Sequence, residues 1–221
     1  MKKLLWAIAV MALFCGTAFA IGNATGSEVS QSGWTNTNQS AVSITTEGGN
    51  VSNVDLSTNT STSRWAGAYG NITGNLVLGE TGATSFMYTW TVSSADLGEV
   101  CVSQNAAPTW TSFAATTRAE VDTAFGFASG DDQAADFFTD SSVVLTVSGT
   151  TPITTTGATT LGSWQFGAGE FTGTPGESDL AFCANISQQA TDYKGHAVDF
   201  ELMFPATTGL TDVYYFYLEL E

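Results

Sequence analysis

The chain reads as an all-β protein, an antiparallel β-sandwich of jelly-roll or immunoglobulin-like type with one short helical crossover. Three observations predict this class. Apolar residues recur with period two: Phe86, Tyr88, Trp90 and Val92 share one face, and Val198, Phe200, Leu202 and Phe204 share another. Gly-rich punctuation such as Glu47-Gly48-Gly49-Asn50 and Gly79-Glu80-Thr81-Gly82 separates the runs at short spacing. With 43% hydrophobic residues in 221, the chain can bury a full core, and short strands at this spacing pack as a sandwich.

The elements follow in order. Lys2 and Lys3 precede an apolar run from Leu4 to Phe14, and Ala18-Phe19-Ala20 has the small-x-small form of a signal-peptidase site, so residues 1–20 read as a signal peptide. As a helix that run spans about 16 Å, roughly half a hydrocarbon core, which favours cleavage over anchoring. A lipoprotein reading at Cys15 is disfavoured by the bulky Phe14 before it. Residues 21–37 are polar and Gly/Ser/Thr-rich, a flexible arm or an edge strand in want of a partner. Residues 38–221 form a single sandwich domain, with strands expected at Ala41–Thr46, Val51–Leu56, Asn71–Leu78, Phe86–Val92, Glu99–Gln104, Val143–Ser148, Leu161–Phe166, Asp179–Ser187 and Val198–Phe204. The last strand carries Tyr214, Phe216, Leu218 and Leu220 on one side, with Tyr215, Tyr217, Glu219 and Glu221 on the other. Between Phe113 and Asp140 a capping box at Thr117 and Glu120, and an acidic turn at Asp131 to Phe138, predict the helical crossover. Thr150 to Thr160 reads as a low-complexity loop.

The formal charge is -16, and loss of Lys2 and Lys3 with the leader takes it to -18. So acidic a surface repels nucleic acid and anionic headgroups, which excludes nucleic-acid binding. No later segment is long and apolar enough to be a membrane helix, so the mature chain is expected to be secreted, extracellular or on a cell surface. There Cys101 and Cys183 form an even pair and predict one disulfide. Val100 and Val102 flank one cysteine, and Phe182 and Ala184 flank the other, so both sulfurs point away from the dominant apolar faces. The expected bridge joins neighbouring strands on an outer face.

Arg64-Trp65-Ala66-Gly67-Ala68-Tyr69-Gly70-Asn71-Ile72-Thr73-Gly74 resembles a group of exported archaeal surface proteins that carry an RWAG-x-YGN-[IV]-[ST]-G segment. The resemblance returns in Phe86-Met87-Tyr88, Trp90, Gly98-Glu99-Val100 and the terminal Tyr214-Tyr215-Phe216-Tyr217-Leu218-Glu219-Leu220-Glu221. It implies an archaeal, cell-surface, glycosylated β protein, and no catalytic residues. Read from the residues alone, the first motif is a tight bend with rings packed over glycine backbone, and Arg64 stacked on a ring and paired with a carboxylate.

Asn-x-Ser/Thr sites at Asn23, Asn38, Asn50, Asn59, Asn71 and Asn185 are glycosylation candidates downstream of the leader. Trp34 and Trp110, in polar or Pro-adjacent segments, are the sugar-stacking candidates; Trp65, Trp90 and Trp164 also enter that set, with Trp90 assigned to the core. No cofactor is implied apart from calcium, for which Asp131, Asp132, Asp136 and Asp140 are the hard oxygen donors. They lack the EF-hand order, and a solvated crossover with helix-capping aspartates is the preferred account. A catalytic relay would have to use the lone His196, with no GxSxG elbow to accompany it. Carboxylate pairs such as Glu170 with Glu177, or Glu99 with Glu120, leave a glycoside hydrolase as the enzyme alternative. The expectation is a non-catalytic structural or adhesive surface protein, a filament or envelope subunit that associates with itself, with other surface proteins or with glycans. A carbohydrate-binding module is the alternative.

Overall fold

The computed structural model describes residues 22–23, 26, 28, 30–33, 43, 45–80, 84–91, 98–130, 132–147, 152–162, 164–207 and 211–220. The leader, Trp34, Asn38, Asp131 and most of the 21–37 arm lie outside the described residues.

In chain order the strands are β1 (Gly22–Asn23), β2 (Trp65–Gly70), β3 (Asn75–Leu78), β4 (Tyr88–Thr91), β5 (Glu99–Ser103), β6 (Ala114–Ala115), β7 (Thr139–Leu145), β8 (Ile153–Thr159), β9 (Gln165–Glu170), β10 (Leu180–Asn185), β11 (Ala190–Thr191), β12 (Ala197–Val198), β13 (Phe200–Pro205) and β14 (Tyr215–Leu218). Among the described residues two short α-helices, α1 (Arg118–Ala124) and α2 (Ala134–Phe137), interrupt them. The protein is an all-β antiparallel sandwich. Its main sheet has eight strands in the order β1-β14-β5-β10-β9-β8-β7, with β6 also pairing β9.

Strand parity sorts side chains onto two faces of that sheet. One face presents Val100, Val102, Phe166, Ala168, Phe182 and Ala184; Leu202 and Phe204 of the β2–β13 pair cover it, together with Val121, Phe125 and Phe138 of the crossover. Of the period-two runs, the one through Phe200, Leu202 and Phe204 contributes to this core. The opposite face was expected to be outer surface, and it is not. It holds a second apolar cluster of Cys101, Cys183, Ala181 and Tyr217 beneath Trp110, Phe113, Val143, Leu145 and Val147.

Glycine makes room for this second layer. Along β9 the glycines alternate with Phe166 and Ala168, so Gly167 and Gly169 leave a trough on the second face. A Cβ on Gly169 would sit 2.2 Å from the Phe113 ring, and one on Gly157 would sit 2.4 Å from Val143 Cγ2. A register shift between Thr139 and Val143, with Ser141 at φ 54°, bends β7 across the sheet. Past the end of β7, the Thr146 amide donates to Glu99 Oε1 at 2.9 Å.

Several expected elements fall elsewhere. Thr150 to Thr160 was read as a loop, yet it contains β8, where the buried Thr155 hydroxyl donates to Ala168 O at 2.5 Å and accepts from the Thr116 amide at 3.1 Å. Val51 to Leu56 forms no strand and its apolar side chains are exposed, with no described segment pairing against it beyond the Glu47 to Asn50 turn. The Leu161 strand starts instead at Gln165, with Leu161 exposed in the turn before it.

Candidate functional site

Cys101 and Cys183 are register partners on neighbouring strands β5 and β10 and are bonded to each other, with Cα atoms 4.1 Å apart. Adjacent strands agree with the sequence reading. The outer-face position does not, since both residues are wholly buried under the second cluster.

Trp110 is likewise corrected. It was a stacking candidate for sugar, but a 3-10 turn at Trp110–Ser112 lays its ring on Phe113, Phe171 and Tyr217, with centroids 5.1–5.8 Å away, and it is 9% exposed. Pro108 and its polar neighbours suggested a solvent loop, whereas the turn folds back onto the sheet. Trp65 is closed off too: its ring stacks edge-on to Phe137 at 4.7 Å and its Nε1 donates to Asp132 O at 2.7 Å. Trp164 is buried and donates to Thr191 O.

The RWAG segment fastens the helical crossover. Arg64 lies over the Phe127 ring at 5.1 Å, donates to Ser129 O and pairs with Asp132 at 3.4 Å. Arg118 pairs with Asp140 at 3.3 Å. Asp136 accepts from the Gln133 amide at 3.0 Å at the start of α2. The described members of the calcium set, Asp132, Asp136 and Asp140, thus hold separate partners instead of converging, and no group of three metal-competent side chains forms among the described residues.

The carboxylate pairs are also redrawn. Across the two suggested pairs, Glu120 lies close enough to Glu170 for its charge to act on that carboxyl. Burial first, then Glu120 and Asp179, push the Glu170 carboxyl above its ordinary value. The Thr117 hydroxyl and then the Thr117 amide hold Glu120 below its own. Glu120 is committed to the α1 cap, its Oε2 accepting from Thr117 N at 2.7 Å, and neither described cleft is lined by the pair.

His196 is exposed on a turn, its Nδ1 3.4 Å from Asp192 Oδ2. Asp192 is buried and organises that turn, its Oδ1 accepting from Lys194 N at 2.8 Å and His196 N at 2.7 Å. Burial alone would raise its carboxyl; those amides and the imidazole more than offset this and hold it low. Lys194 sits against Tyr193 and Tyr69, at 5.2 and 5.6 Å from their ring centroids, and they hold its ammonium above the usual range.

Among the glycosylation candidates, Asn50, Asn59, Asn71 and Asn185 are exposed, and Asn23 lies in β1. Asn185 faces outward at the end of β10 while Ile186 after it is buried, and it borders a cleft of about 330 Å³ with Gln165, Ser187 and Ala190.

The surface feature that sequence reasoning missed is the β3–β4 hairpin. Trp90 was assigned to the core with Phe86 and Tyr88. Instead the ribbon pairs with no other strand among the described residues, and Leu76, Val77, Leu78, Phe86, Met87, Tyr88 and Trp90 are all exposed, Met87 by 83% and Trp90 by 49%. Alternation marks a strand but says nothing about whether a second layer covers it. The Tyr88 and Trp90 rings lie 4.6 Å apart. Comparison with protein-family models, with curated proteins and with solved structures finds no match to this chain.

Proposed function

We propose that this protein is an exported, glycosylated structural or adhesive component of a cell surface, which works by holding neighbours and not by chemical transformation. The observation that supports this reading is the exposed apolar hairpin. Single apolar side chains on a surface need no explanation, but a contiguous patch rimmed by polar chain marks an association surface. A two-stranded ribbon is marginal by itself, so covering it stabilises both the contact and the strand pair. The acidic charge of -16 and the exposed Asn-x-Ser/Thr sites fit an envelope setting, where divalent cations such as calcium screen like-charged neighbours.

The test replaces Met87, Tyr88 and Trp90 by serine. Because these side chains face solvent, the thermal midpoint should stay close to that of the parent, while sedimentation and negative-stain microscopy should show assemblies reduced to monomer. Assemblies that persist unchanged in the triple variant would remove the support for this reading. The Tyr88–Trp90 ring pair also favours a second reading, a carbohydrate platform. A glycan array separates the two: a sugar binder loses its signal on Trp90→Ala, whereas a building block gives no specific signal to lose.

A further inference from the structure

We propose that β1 pairs with β14 of a neighbouring copy, so that the N-terminal segment of one chain completes the main sheet of the next. The acceptor is visible within one chain: β1 lies antiparallel on the outer edge of β14, with Gly22 opposite Leu218 and Asn23 opposite Tyr217. Among the described residues β1 faces these two of the four β14 residues, and the same antiparallel register, carried on, runs toward Phe216 and Tyr215.

What makes the partner a second copy is the connection. Residues 24–64, 41 in all, separate β1 from β2, and every described residue between Gly26 and Ser63 is exposed and outside any strand or helix. Connections in compact domains have a median of about 4–6 residues, so this one does not serve to place β1 on its own domain. A chain of 41 residues can extend well beyond about 100 Å, more than the roughly 40 Å diameter of a domain this size. The arm therefore reaches an adjacent copy as readily as its own edge.

The two arrangements make the same main-chain hydrogen bonds, so local concentration decides between them. In dilute solution the intramolecular pairing wins, because joining two chains costs translational and rotational freedom. Where copies touch in a coat or filament, the neighbour's edge is present at an effective concentration comparable with that of the chain's own, and exchange propagates from copy to copy. An isologous apolar contact joins two chains and stops, whereas a head-to-tail strand continues. This inference rests on the proposal that the protein builds surface assemblies.

The experiment uses the full chain, exported and processed, in two single variants: Asn23→Cys and Tyr215→Cys. Tyr215 is exposed, and the diagonal from residue 23 to residue 215 spans about 7–8 Å, within reach of a short bismaleimide. Mixed in equal amounts and allowed to assemble, the variants should give a covalent heterodimer at least about tenfold above the yield in dilute solution. Assemblies that form without that product, while the double variant closes within one chain, overturn strand exchange and leave the building role standing. Absence of any assembly overturns both. As a second measurement, deletion of residues 21–33, which leaves the apolar hairpin in place, should keep the fold and abolish polymers larger than the pair that the hairpin joins; polymers unaffected by the deletion also overturn the proposal.

Discussion

Gly157 shows how closely the second face is fitted. An added Cβ there meets the Phe166 carbonyl and Val143 Cγ2, each at 2.4 Å, and neither the β9 backbone nor the β-branched valine can swing aside. Gly157→Ala should destabilise the fold by about 1–3 kcal/mol, the usual cost of overpacking. The midpoint should fall by about 2–4 °C per kcal/mol in a thermal melt. Gly173→Ala, where no atom lies within 4 Å, is the control and should melt with the parent. At this scale the cysteines were half legible: their flanking valines and Phe182 fixed which way the sulfurs point. What covers them was hidden, because Trp110, Phe113 and Val143 come from segments whose local pattern gives no sign of folding back. In a sequence, glycine in β9 looks like punctuation, and only the packing shows that it is clearance.

Helix α1 is one of the elements best read in advance. Thr117 Oγ1 accepts from Glu120 N at 3.3 Å, and Glu120 Oε2 accepts from Thr117 N, Thr117 Oγ1 and Thr116 Oγ1. These donors bind the ionised carboxylate, so Glu120 titrates lower in the folded chain than in the unfolded one. A depressed folded value means that the stabilisation is complete above the ordinary carboxyl range and is lost as pH falls through the folded value. Glu120→Gln should cost about 1 kcal/mol near neutral pH. The gap between parent and variant in urea titrations should close on acidification; a gap constant down to the most acid pH would show that the cap does not titrate. By contrast β8 escaped detection because threonine hides alternation. Thr155 and Thr156 are as buried as valine would be, made tolerable by hydrogen bonds that a polarity pattern does not reveal. The β3–β4 hairpin failed in the opposite direction: its pattern is that of a core strand, yet no sheet covers it among the described residues.

For the whole molecule, the disulfide lies on the second face of the main sheet, inside the smaller core. It ties β5 to β10 at the centre of the main sheet and closes a separation of 82 residues. Replacing both cysteines by alanine should cost about 4 kcal/mol through the restored freedom of the unfolded chain, measured as a lower urea midpoint with the far-ultraviolet dichroism of the native sheet retained in water. A change below about 1 kcal/mol would mean that the unfolded chain is already compact there. Charge adds a last consequence. The chain has two arginines, Arg64 and Arg118, and both are engaged within the same crossover, by Asp132 and Asp140. With these two cations engaged, the net charge of -16 leaves neighbouring copies to repel one another outside any contact they make. If the chain builds the surface layer proposed above, that layer should swell at low ionic strength and tighten as added salt or divalent cations screen its charge.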